Sequence, residues 1–246
     1  MQSGKKQLEL LLMNYFRECT SAFPKGKIVP SESPDFILNL KSKNRIGIEL
    51  TRLNPVKVLH PETHLAGQLE LREKVIATSE LLVKRTSGLK LFVKFMFDDK
   101  IPVNEERELI LPVQLANIIR KAVQNKNPAG FFYVVLDSPV LPVGVSRILI
   151  VNHPGLPEPV WERANNLGIS EDAVEDIKHA IRKKDDKLFL YHRQNLNLYW
   201  LVIFADRLRG LKSYNLHNRI RNHTFESHFQ KVFLFDLIKA HVQQIV

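Results

Sequence analysis

The chain has 246 residues, of which 44% are hydrophobic and 25% charged, so its composition is that of a globular protein and excludes a disordered one. Its net charge of +10 favours a polyanionic binding partner. Cys19 is the only cysteine, which excludes an intrachain disulfide and a cysteine-based zinc site, and no apolar run is long enough to span a membrane.

The first predicted element is a helix from Lys5 to Thr20, because its apolar residues recur at the helical period. Glu9 and Glu18 would lie on opposite flanks of its apolar stripe, where each could reach over a neighbouring sheet or simply face solvent. Polar residues interrupt the apolar run, so we expect no signal peptide and, with a single cysteine, a cytoplasmic protein. A short strand over Lys27–Val29 would follow.

A β-hairpin is predicted next, because two short apolar runs, Phe36–Leu40 and Ile46–Leu50, flank a polar turn. Asp35 opens the first strand and Glu49 nearly closes the second, and these ends are neighbours in an antiparallel pair. Two such carboxylates repel each other unless a proton or a metal intervenes, and their oxygens suit Mg²⁺ or Mn²⁺. The alternative is that Asp35 caps a strand and Glu49 is a solvated surface residue.

The segments Pro34-Asp35 and Ile48-Glu49-Leu50-Thr51, joined by this hairpin, resemble the core signature of the PD-(D/E)XK nuclease superfamily. The resemblance covers residues 1–100. It implies a restriction-endonuclease-like fold and the metal-dependent hydrolysis of phosphodiester bonds in nucleic acid.

The resemblance also implies a set of metal ligands. Asp35, Glu49 and the Leu50 carbonyl would hold Mg²⁺ or Mn²⁺, and Glu9 on the first helix would bind it directly or through water. Thr51 stands where the family usually has Lys, and a neutral hydroxyl cannot offset the charge of a phosphate as an ammonium does.

A second helix is predicted over Glu62–Thr86, with Gln68 and Arg72 on its apolar stripe. Polar groups on a buried face need binding partners. Many family members carry a Gln followed one turn later by a Tyr or a basic residue on this helix, so the resemblance implies that Gln68 and Arg72 position the scissile phosphate and that Arg72 supplies the charge Thr51 lacks. The alternative is an Arg72–Glu49 ion pair that only holds the helix to the sheet.

The strand Leu89–Phe97 would complete the core of helix, hairpin, helix and strand. Pro112 is predicted to start the next helix, through Val123. Further along the chain, the apolar runs and turn residues predict the strands Phe131–Leu136, Val145–Val151, Asn197–Ala205 and Val232–Phe235, an irregular loop over Asn152–Trp161, and a terminal helix to Val246.

The helix that Ser170 is predicted to cap carries Lys184 among its apolar positions. This lysine could extend outward to solvent or point toward a phosphate. The following segment, Arg207–Lys231, is strongly basic and could follow a nucleic-acid backbone, or it could be a solvated basic loop. The candidate nucleic-acid contacts in it are Arg207, Arg209, Lys212, Tyr214, Arg219 and Arg221.

We therefore expect an α/β protein with a restriction-endonuclease-like mixed β-sheet flanked by helices and extended by C-terminal strands and helices. Residues 1–246 would form a single domain, with the core in 1–100 and an extension in 101–246. The expected function is a metal-dependent nuclease; the alternatives are a catalytically inactive nucleic-acid-binding protein with the same fold, and a structural protein. The expected partner is nucleic acid, with DNA favoured over RNA, no membrane is expected, and a homodimer is allowed.

Overall fold

The computed structural model describes residues 4–54, 56, 66–87, 89–98, 100–164, 172–191, 194–206 and 216–246. In chain order its elements are α1 (Gly4–Cys19), β1 (Gly26–Pro30), β2 (Phe36–Leu40), β3 (Arg45–Arg52), α2 (Ala66–Ser87), β4 (Leu91–Phe97), α3 (Glu105–Val123), β5 (Phe132–Asp137), β6 (Val145–Asn152), β7 (Val160–Arg163), α4 (Ala173–Asp185), α5 (Leu188–Tyr191), β8 (Leu198–Ala205), α6 (Leu216–Arg221), β9 (Lys231–Asp236) and β10 (His241–Gln244).

The chain folds into two compact units. Unit 1 comprises Met1–Pro61 and Asn166–Val246, and unit 2 comprises Glu62–Asn165. Unit 2 is therefore inserted in the sequence between the two parts of unit 1. The expected division at residue 100 falls inside unit 2, and the expectation that residues 1–246 form one domain stays a prediction.

Unit 1 is built on a six-stranded mixed sheet in the order β1-β2-β3-β8-β9-β10. The first three strands form an antiparallel meander, β8 and β9 run parallel to β3, and β10 is antiparallel to β9. On one face, α4 packs its apolar residues on Leu201 and Ile203. The rings of Tyr15 and Phe16 in α1 contact Phe235 of β9, which alternates with the residues of that face. Helices thus flank both faces of the sheet.

Two predictions about unit 1 are wrong. The parallel neighbour of the hairpin is β8, whereas the predicted strand Leu89–Phe97 corresponds to β4 and lies in a different sheet. Both segments are continuous apolar runs, and periodicity does not tell which run pairs with which strand. The predicted terminal helix is the strand β10, which returns along β9 after a turn in which Ala240 has φ of 52°.

Unit 2 contains a four-stranded mixed sheet in the order β5-β6-β4-β7 and the helices α2 and α3, which share its core. The helix α3 begins at Glu105, where the side chain of the N-cap residue Asn104 accepts a hydrogen bond from the Arg107 N–H at 3.0 Å. The predicted start at Pro112 is wrong, because this proline lies inside the helix. The predicted loop Asn152–Trp161 ends in the short strand β7.

The protein is thus a mixed α/β protein with two mixed sheets flanked by helices. Among the helices that the structure describes, none combines the length and the apolar character that crossing a membrane requires.

Candidate active site

Asp35, which directly precedes β2, meets Glu49 of the adjacent strand β3 in unit 1. Phe36 pairs with Ile48 in the hairpin, so the register places Asp35 opposite Glu49. The Asp35 N–H donates to Glu49 Oε2 at 3.3 Å, and the Leu50 N–H donates to Asp35 Oδ2 at 2.8 Å. The structure therefore brings together the two acids that the hairpin pattern singles out; their chemical role stays a prediction.

Lys184 forms an ion pair with the buried Glu49. Its Nζ lies 2.6 Å from Glu49 Oε1, and the two side chains are only 15% and 8% exposed. The helix α4 directs it there because Lys184 follows Ile177, Ala180 and Ile181 on the buried face at helical spacing. The side chain therefore points inward, and its ammonium stands beside the acidic pair.

The pKa of Asp35 is raised to about 6 by burial and, after burial, by the negative charge of Glu49. The hydrogen bond from Leu50 lowers this pKa, Glu9 raises it, and the charge of Lys184 lowers it. The two acids therefore remain crowded with negative charge in spite of the lysine. An added cation would relieve this repulsion.

Tyr191 is a further member of the site that the sequence analysis missed. Its side chain, carried on α5, is buried, and its hydroxyl donates a hydrogen bond to the Glu49 carboxylate. Burial and the charge of Glu49 raise the pKa of this hydroxyl, so it stays a donor. The Tyr199 hydroxyl in turn donates to the Tyr191 carbonyl at 3.1 Å. No short-range pattern connects Tyr191 to a hairpin so far away in the sequence.

The two acids of the first helix have different surroundings. The negative charge of Glu9 raises the pKa of Asp35. The Glu9 side chain is 22% exposed and forms an ion pair with Lys5 at 3.6 Å. Glu18 forms a surface ion pair with its neighbour Arg17 at 2.9 Å. Of these two residues, Glu9 is the one whose charge reaches the acidic pair.

Gln68 and Arg72 make their described contacts within unit 2. The Gln68 side chain exchanges two hydrogen bonds with the backbone of Val103, at 2.9 and 2.7 Å. Arg72 is 1% exposed, donates to the Asp98 carbonyl at 3.1 Å and lies over the ring of Phe97. These contacts give both side chains a structural role in unit 2, and their predicted roles at a phosphate stay predictions.

Two of the candidate nucleic-acid contacts lie on α6. Arg219 forms an ion pair with Asp172 at 3.4 Å, and Arg221 is exposed. The other candidates, Arg207, Arg209, Lys212 and Tyr214, lie outside the described residues.

The donor atoms at the acidic pair are those that suit Mg²⁺, which proteins often hold through one or two carboxylates together with water and substrate phosphate. In the described part of the chain, no group of three or more His, Cys, Asp or Glu side chains is arranged to hold a metal ion. The predicted roles of Asp35, Glu49, Glu9 and the Leu50 carbonyl as metal ligands stay predictions. Comparison of the chain with family models, curated proteins and solved structures gave no match.

Proposed function

We propose that the protein is a metal-dependent nuclease of the PD-(D/E)XK type, with the restriction-endonuclease-like core in unit 1. One observation carries the proposal: Asp35 and Glu49 are in contact, and Lys184 Nζ lies 2.6 Å from Glu49 Oε1. An acidic pair with an adjacent buried ammonium is the combination that the motif requires. Lys184 would supply the positive charge that Thr51 does not.

The topology of unit 1 supports the same proposal. Its meander β1-β2-β3 is followed, after unit 2 in the sequence, by the helix α4 and the parallel strand β8. This is the order of helix, hairpin, helix and strand that the resemblance implies, counting α1 as the first helix. In the proposed core α4 would be the second helix, a position that the sequence analysis gave to the helix carrying Arg72.

In the proposed mechanism Asp35, Glu49 and the Leu50 carbonyl would hold Mg²⁺ or Mn²⁺, with Glu9 assisting. When bound, the ion would lower the pKa of a water molecule that attacks phosphorus. Because a proton occupies Asp35 in half of the molecules at pH of about 6, metal affinity would rise with pH through that value.

The protein's own groups would act on the phosphate and on the acids. Lys184 is held in place by Glu49 and shielded from solvent, so its charge would stabilise the negative charge that develops on the phosphate oxygens without reorganisation. The Tyr191 hydroxyl would keep the Glu49 carboxylate oriented.

The test is cleavage of a fluorescent DNA with Mg²⁺ or Mn²⁺. Asp35→Asn, Glu49→Gln and Lys184→Gln should each lower the rate by about 10²–10³-fold, the effect typical of losing one group that stabilises the transition state. Lys183→Gln is the matched control, because Lys183 is the exposed neighbour of Lys184 on the same helix. Absence of cleavage by the folded wild-type protein, or equal losses for Lys183→Gln and Lys184→Gln, would contradict the proposal.

An inactive nucleic-acid-binding protein with the same fold is the second candidate, and a specific observation favours it. The Glu49 carboxylate already receives Lys184, the Asp35 N–H and the Tyr191 hydroxyl, so it is satisfied without a metal. A wild-type protein of this kind would retain DNA in a salt-dependent manner and leave it uncut.

A further inference from the structure

A groove of about 660 Å³ in unit 1 is lined by α6, the turn after β9 and β10. Its charged and polar residues come from all three of these segments, and none of the described residues that line it is acidic. They are Asn218, Arg221, His223, Lys239, His241, Gln243 and Gln244. We call it the α6–β10 groove.

Neighbouring grooves of unit 1 have a different charge pattern. The groove beside α4 that contains Lys178 and Arg219 also contains Asp172 and Glu175. A second one is lined by residues of both signs as well, including Arg182, Asp185 and Glu226. Basic residues that face acids in this way are balanced locally, whereas the α6–β10 groove has no acid in its lining to balance its cations.

Another basic groove, in unit 2, has a structural explanation. Arg120, Lys121 and Lys126 line it at the C-terminal end of α3, where the helix dipole favours positive charge. The Arg120 guanidinium also donates to the Leu82 carbonyl at 2.7 Å. In the α6–β10 groove Arg221 also ends a helix, the six-residue α6, but Lys239 and His241 come from a turn and a strand, which have no such dipole.

The cations of the α6–β10 groove differ in strength. Arg221 is exposed, and none of the ion pairs among the described residues involves it. The Lys239 side chain is 43% exposed and lies 3.9 Å from the buried Asp236, which offsets part of its charge. Arg221 is therefore the main contributor of positive potential, and Lys239 adds to it.

The groove lies beside α4, the helix that carries Lys184, because α6 lines the groove and contacts the start of α4. The Arg219–Asp172 ion pair joins α6 to the first residue before α4, and Lys184 lies near the other end of α4. At 1.5 Å per residue the helix from Asp172 to Lys184 spans about 18 Å.

We propose that the α6–β10 groove binds the phosphate backbone of the nucleic acid whose scissile phosphate lies beside Lys184. The choice of nucleic acid as the anion rests on the proposed nuclease function. The groove would then make cleavage dependent on substrate length, because a substrate too short to reach it loses its contacts with Arg221 and Lys239.

The first test measures binding without turnover. The Kd of a fluorescent 20-nucleotide single strand and of a 20-base-pair duplex is measured in EDTA at several salt concentrations. Arg221→Gln with Lys239→Gln should weaken binding about tenfold at 0.1 M salt and reduce the slope of log K against log salt by about 1.5–2. Lys121→Gln with Lys126→Gln is the matched control in the unit 2 groove, and it should leave both quantities unchanged.

The second test measures cleavage. With Mg²⁺, the Arg221→Gln with Lys239→Gln variant should raise KM about tenfold for the 20-nucleotide substrate, leave its kcat unchanged, and leave kcat/KM for a trinucleotide unchanged. Three results would overturn the proposal. They are a folded protein that binds no DNA, equal losses of binding in the two double variants, and displacement of the bound DNA by poly-glutamate as readily as by unlabelled DNA. Salt-dependent binding through Arg221 and Lys239 without cleavage would support the groove and refute the nuclease. Cleavage with unchanged Kd and KM in the variant would refute the groove alone.

Discussion

Replacing Asp35 by Asn should stabilise the protein at neutral pH although it removes a residue of the proposed site. The carboxyl has a pKa of about 6 in the folded protein, against an ordinary value of 3.8, so its ionised form is disfavoured by folding. This difference corresponds to about 3 kcal/mol, and we take about 1–2 kcal/mol because solvent reaches part of the side chain. The asparagine Oδ1 can still accept the hydrogen bond from the Leu50 N–H.

The effect should depend on pH in a defined direction. Because the pKa of Asp35 is higher in the folded chain than in the unfolded chain, its contribution favours folding below pH 3.8 and is lost as the pH rises through about 6. The advantage of Asp35→Asn over the wild type should therefore be near zero at pH 4 and reach about 1–2 kcal/mol at pH 8.

The assay is denaturant unfolding in EDTA, followed by tryptophan fluorescence. The chain has two tryptophans, and Trp200 lies buried in the sheet of unit 1. Replacing Trp161 of unit 2 by Phe in the wild type, Asp35→Asn and Glu18→Gln proteins would leave Trp200 as the reporter of unit 1. Glu18→Gln, at an exposed acid, is the control and should change stability by less than about 0.5 kcal/mol at either pH. An Asp35→Asn protein no more stable than the wild type at pH 8, or an advantage that is the same at pH 4, would refute the reasoning.

Two further predictions concern single hydrogen bonds. Tyr191→Phe removes the hydroxyl that donates to the buried Glu49 carboxylate, and it should lower the free energy of unfolding by about 1.5–3 kcal/mol. Tyr199→Phe should cost less, because the Tyr199 hydroxyl donates to a neutral carbonyl. Equal losses in denaturant titrations of the two variants would contradict this prediction. Asn104→Ala removes the N-cap of α3 and should cost about 1 kcal/mol, measured by the fluorescence of Trp161 in unit 2, and an unchanged midpoint would show that the cap adds nothing.

The acidic pair could be predicted from the sequence because its geometry is local. Asp35 directly precedes the first strand of the hairpin and Glu49 lies on the second, so the turn and the strand register bring them close together. The helix α1 and the strands β5, β6 and β8 could likewise be placed to within a few residues, because each has a clear period or a continuous apolar run.

The cation beside the pair could not be assigned in the same way. The contact between Lys184 and Glu49 joins residues 135 positions apart, and it exists because α4 crosses over between β3 and β8. The sequence analysis completed the core with the strand Leu89–Phe97 and therefore used α2 as the second helix of that core. The strand that pairs with the hairpin is β8, and α4 comes before it in the chain. The sequence marks Lys184 as a charged residue on an apolar stripe. Only the pairing of the strands determines which residue that stripe contacts.

The insertion of unit 2 has a consequence for synthesis. A ribosome that has completed β3 must add all of Glu62–Asn165 before α4 and β8 exist. During that interval β3 is an unprotected edge of the nascent sheet, and Glu49 lacks the ammonium that neutralises it. Chaperone contacts and premature pairing with other chains should therefore concentrate on this strand, and a product truncated before residue 172 should aggregate even where unit 2 is intact.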